Sequence, residues 1–203
     1  MLKLRATYRQ RVPLVVAIAT AALMLSSSVM AHTTNTSGVG FAGGFGHPFS
    51  GFGHILAMVA VGLWASQLGR PAYWALPLTF PVVMTTGAVV GFAGLPLPWV
   101  EIGIAASVIV LGLMVALAVK PSLAVSIALV SLFALMHGHS HGTELPQAAS
   151  PLDYGAGFLI ATAVLHAIGL AIGGVSRWPL ARIGLRSAGA AIAAVGVMLL
   201  IST

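Results

Sequence analysis

The chain has 203 residues, of which 59% are hydrophobic and 6% charged, and its net charge is +6. A soluble domain carries about 25% charged residues, so this surface is too poor in charge to be covered by water and is read as facing lipid. The nine basic residues are thinly spread, without the dense patch that nucleic acid would need, so no nucleic-acid partner is expected. With no cysteine, disulfides, thiolate metal sites and thiol nucleophiles are excluded. Any metal site must draw on His, Met, carboxylate, hydroxyl or backbone groups.

Residues 1–31 join the basic stretch MLKLRATYRQR to an apolar run that ends at Ala31, with Val29 two positions before it. That three-part pattern predicts a signal peptide; the other reading is an uncleaved first membrane helix. Cleavage after Ala31 would make residues 32–203 one membrane domain beginning at His32. The following stretch, HTTNTSGVGFAGGFG, is polar, Gly-rich and aperiodic, and is read as exposed.

Six membrane-length segments come next, at 49–69, 72–93, 97–119, 121–138, 152–175 and 180–201. Each is close to the roughly 20 residues that span a bilayer. Proline lies in or just after each intervening break, where it cannot continue the preceding helix but suits a new helix start. The predicted fold class is therefore all-α: a polytopic bundle of six transmembrane helices behind a signal peptide or extra helix. Beyond the leader, Arg70, Lys120, Arg177, Arg182 and Arg186 fall in or beside alternate loops, whereas 32–48, 94–98 and 139–151 hold no basic residue other than histidine. The positive-inside rule then puts the basic loops in the cytoplasm and both mature termini outside, in a bacterial inner membrane.

Six of the seven histidines fall on or near the predicted outer side: His32, His47, His54, His137, His139 and His141. His47 precedes Pro48, a favoured first helical residue. His54 follows seven residues on and Met58 four more, a spacing that lines one face of a helix. The fourth segment ends FALMHGHSHGTELP, where His137 and His141, four apart, share a face if the helix persists that far, His139 and the glycines argue instead for a fraying end, and Glu144 adds an oxygen donor. The fifth segment carries His166 within the membrane, and the third carries Glu101 near its outer start. Each residue also has a plainer reading: His47 as a cap, His166 as a helix-to-helix hydrogen bond, HGHSH as a loose collector of cations, Met58 as packing, Glu101 as an interfacial residue. An ionisable side chain inside a membrane is nonetheless a functional candidate, because unpaired burial is costly. Imidazoles without thiolates suit Ni, Co, Cu, Zn and Fe.

The stretches HPFSGFGHILAMVAVGLWA (47–65), FALMHGHSHGTELP (133–146) and GFLIATAVLHAIG (157–169) resemble the HupE/UreJ family of nickel and cobalt permeases. The resemblance covers nearly all of the mature chain. It implies a cleaved leader, six membrane helices, uptake of Ni(II) or Co(II), and a link to hydrogenase or urease supply. By motif position it implies metal handling by His47, His54, His137, His139, His141, Glu144 and His166. One position departs: the family's first motif usually has Asp immediately before its second histidine, and here Gly53 stands there. The missing carboxylate would lower affinity, alter metal preference, or shift the oxygen donor to Glu101, Glu144 or Asp153.

The expected function is a permease for a divalent transition metal, which is substrate rather than prosthetic group, with lipid as the other partner and no catalysis. No nucleotide-binding Walker motif is present, so energy would come from an ion gradient, the membrane potential or a partner. One alternative is an intramembrane zinc hydrolase, for which HExxH is lacking and carboxylates are few. A metal-sensing or accessory subunit is the other, though short loops leave little room for a signalling output. The small-residue stretch GLRSAGAAIAAVGV permits close helix packing, within one chain or in an oligomer.

Overall fold

A computed structural model describes residues 40–145, 150–174 and 178–203. The leader, His32, Arg177 and residues 146–149 lie outside the described residues. The elements in chain order are α1 (Phe41–Gly46), a 3₁₀ turn (His47–Phe49), α2 (Phe52–Leu68), α3 (Ala72–Phe92), α4 (Val100–Leu117), α5 (Leu123–Thr143), α6 (Pro151–Gly174) and α7 (Pro179–Ser202). No strand occurs among the described residues.

Helices α3 to α7 are each long and apolar enough to cross a membrane. The sixth candidate is broken: the segment 41–49 and α2 meet at 83°. The expectation of one continuous helix from residue 49 is thus corrected. Gly51 adopts an extended conformation, φ −118° and ψ 116°, and the helix restarts at Phe52. His47 is therefore not on the same helix as His54 and Met58.

A second correction concerns the end of the fourth predicted segment. Instead of fraying at 138, α5 stays helical through HGHSH to Thr143. Its glycines act as contact points. A side chain on Gly138 would collide with the Met84 backbone of α3, and one on Gly142 with that of Ala88. From the other side, side chains on Gly87 and Gly91 would strike the Leu135 and His139 carbonyls. The two helices approach backbone to backbone, as small residues allow inside membranes.

Gly62 and Gly169 join α2 to α6 in the same manner, and Gly112 and Gly189 join α4 to α7. The small-residue stretch of α7 thus packs within this chain. Trp64, Phe80, Met58, Leu76 and Leu111 fill the interior, fully buried. Leu78, Val82, Leu152 and Ile201 point outward, more than half exposed, as side chains facing lipid would.

One end of the bundle gathers Arg70, Lys120 and Arg186 among the described residues. The Trp64 indole donates to the Val119 carbonyl at 2.9 Å, just past the end of α4, and the Gln67 amide to that of Val115 in its last turn at 3.1 Å. Arg186 donates to the Ala116 carbonyl at 2.7 Å, and Arg70 and Lys120 line one small pocket. The opposite end holds the start of α2, the end of α5 and the start of α6, where the histidines converge.

The α3–α5 contact predicts that Gly87→Leu overpacks the interface, costing about 1–3 kcal/mol or more, and lowers the unfolding temperature in detergent. Gly184→Ala, where an added Cβ meets nothing within 4 Å, should leave it within error of wild type.

Candidate metal site

The upper layer of the site is built from the 3₁₀ turn and the end of α5. His47 Nε2 lies 3.1 Å from Glu144 Oε2. Ser140, one turn before Glu144, donates to Oε1 at 2.8 Å. The His47 ring packs on His141 at 4.9 Å and on Tyr154 at 5.8 Å between centroids. Ligand atoms of His47, His141 and Glu144 all fall within 4.8 Å of one another, close enough for a shared cation. The hydrogen bond from His47 is the main reason that the Glu144 carboxyl sits below its ordinary value; partial burial opposes it and the Ser140 bond adds to it.

Below this layer, the His54 ring lies 4.3 Å from His141 and 4.8 Å from His137. His137 and His141, four apart on a continuous helix, share the face that meets α2. The bend at Gly51 admits the His54 ring, since a Cβ there would come within 3.0 Å of His54 Nδ1. Ser107 of α4 lies 2.8 Å from His137 Nε2 and donates its own proton to the Ile104 carbonyl at 2.6 Å. With that proton committed, the hydroxyl oxygen accepts from His137 Nε2–H. The tautomer follows: Nδ1 carries the free lone pair. That atom, His54 Nε2 and both ring nitrogens of His141 are buried without a hydrogen-bond partner. Converging unpartnered imidazole nitrogens are what a transition-metal cation requires.

Deeper still, on α6, His166 is buried and its ring meets Phe80 of α3 at 5.2 Å. Neither of its nitrogens completes a hydrogen bond, although the Pro77 carbonyl lies beside the ring. That carbonyl is available because Pro81, four residues on, has no N–H to offer it.

The remaining candidates are not part of this convergence. His139 points the other way and pairs through Nε2 with the Leu95 carbonyl at 2.8 Å. Met58 is buried within the hydrophobic core. Glu101 and Asp153 are exposed. A Cβ on Gly53 would point at Leu199 and Ile104, 3.3 and 3.7 Å away. A carboxylate at that position would therefore start out between α4 and α7. Of the three acidic residues considered in its place, Glu144 is the one beside the histidines.

Sequence reasoning missed Ser107, Ser140, Phe80 and Phe158, whose ring packs on His141 at 4.1 Å. Ser140 was within reach, four residues before Glu144 in one helix. Ser107 is thirty positions from His137, and no local pattern marks it.

An all-helical, multi-pass membrane protein with a histidine-lined site at one end of its bundle is thus defined. The HupE / UreJ protein family model matches residues 20–199. The chain is 45% identical over 181 residues to Protein HupE of Rhizobium leguminosarum bv. viciae, covering 89% of this chain and 94% of that one. The chain belongs to the HupE/UreJ family, a membrane family of transporter type. No solved structure matches it.

Two outcomes are expected. Ser107→Ala frees the His137 ring to turn and should weaken Co(II) binding about 10- to 100-fold, read by the visible absorption of the bound ion. Because folding lowers the Glu144 carboxyl, its pairing with His47 stabilises the protein above the ordinary carboxyl value of 4.5 and is lost as pH falls through the lowered value. The difference in unfolding temperature between wild type and Glu144→Gln should therefore shrink as pH is taken down to about 3.

Proposed function

We propose that this protein takes up a divalent transition-metal ion, Ni(II) or Co(II), from the outer side of a bacterial inner membrane. The observation that carries this reading is the convergence of unpartnered nitrogens from His54, His137 and His141 inside a lipid-facing bundle. Imidazoles left so in a membrane interior are costly unless a ligand completes them. The family, transporter in type, supports the same direction.

The hydrated ion is drawn first to His47 and Glu144, where the carboxylate offsets part of its charge. If the leader is cleaved after Ala31, the imidazole and α-amine of His32 assist there. Exchange of water for imidazole moves the ion to His54, His137 and His141, and then toward His166. Selectivity comes from imidazole geometry; throughput requires that no station hold the ion too tightly. The basic end, with Arg70, Lys120 and Arg186, faces the cytoplasm by the positive-inside rule. The ion gradient, the membrane potential or a partner drives the passage, and the delivered metal supplies a hydrogenase or urease.

Cells expressing the chain should accumulate Ni(II) or Co(II) ahead of Zn(II) and Cu(II) in competitive uptake. The His54→Ala/His137→Ala double variant, at matched membrane abundance, should lose at least about tenfold in uptake. Uptake equal to wild type by that variant would overturn the reading. Tightly held Zn(II) with hydrolytic turnover, and no transport, would replace it with the hydrolase.

A further inference from the structure

Between the histidine cluster and His166 stands an aromatic side chain that the path so far does not use. Phe80 is fully buried on α3. Its ring centroid lies 5.7 Å from that of His137 and 5.2 Å from that of His166, so one apolar ring touches the last imidazole of the cluster and the deep one. Leu76 and Met84, one turn to either side on the same helix face, are buried as well.

A second observation comes from α6. Phe158, Thr162 and His166 are four apart and share one face. Phe158 packs on His141, and His166 packs on Phe80, so Thr162 falls at the level between them. Its hydroxyl is buried without a partner. Thr162 therefore stands one turn nearer the mouth than His166, whose nitrogens, with the Pro77 carbonyl beside them, are the donors next to Phe80 away from the cluster.

We propose that Phe80 is the gate of the ion path, its ring sealing the histidine cluster from an inner station formed by His166 and the Pro77 carbonyl. The inference rests on the transport reading above and adds to it a residue that sets rate and selectivity. A divalent ion passing an apolar ring in a dry interior has no donor to replace its lost ligands, so the ring must turn aside. Pro77 and Pro81 flank it, and the hydrogen bond missing at Pro81 gives α3 a place to flex. An apolar constriction between polar stations is a known way to stop ions without binding them.

The test uses the full chain in proteoliposomes with Co(II) as the probe and two readouts. Visible absorption reports Co(II) held by the cluster, and an internal chelating dye reports Co(II) delivered. Phe80→Leu should raise initial entry by about fivefold or more and Phe80→Trp should lower it by a similar factor, with cluster absorption unchanged in both. If Phe80→Leu loses the absorption, Phe80→Met, closer in volume, carries the same expectation. Absorption like wild type with entry within about twofold for the Leu (or Met) and Trp variants overturns the gate. Failure of the wild-type chain itself to bind and carry Co(II) overturns the transport reading instead, so the two failures are distinct.

Discussion

Backbone-to-backbone contact between α3 and α5 is the constraint on which the histidine site depends. A helix bearing glycines at 138 and 142 has weak intrinsic reason to persist. Here those positions, with Gly87 and Gly91 opposite, are where the helices touch. The touch holds HGHSH in helical register, and register then sorts its imidazoles. His137 and His141 turn toward α2 and α6, and His139 turns to the α3–α4 connection, where Leu95 receives it. Alternation that reads in the sequence as three equivalent ligands becomes two inward groups and one structural one.

The second constraint is electrostatic. A bundle with three acidic residues in the whole chain cannot surround a divalent ion with carboxylates. It places Glu144 at the mouth, where a hydrogen bond from His47 and another from Ser140 keep it ionised and aimed. Deeper positions use neutral nitrogen and oxygen donors, whose individual burial costs less than that of a charge. A graded arrangement of this kind suits an ion that must be attracted first and then let go.

The architecture was legible because spanning a bilayer demands long apolar runs, and Pro-marked breaks punctuate them. Two local features were less so. The bend at Gly51 looked like part of a single run, since apolar content says nothing of backbone direction. The glycines of HGHSH looked like breakers, because their partners on α3 lie some fifty residues away in the chain. In the same way, the convergence of His47, His54, His141 and Glu144 followed from residues the motifs already singled out. Phe80 and Ser107 did not, because a phenylalanine in an apolar helix and a serine among small residues carry no local mark. Their roles arise from what stands opposite them.

The hydroxyl of Ser107 has a consequence for charge flow. By spending its proton on Ile104 and taking one from His137 Nε2, it leaves Nδ1 as a neutral donor in advance. A divalent cation bound there would displace no proton into the bulk. On the transport reading proposed above, its two units of charge would enter uncompensated at this step, and transmembrane voltage would act directly upon them.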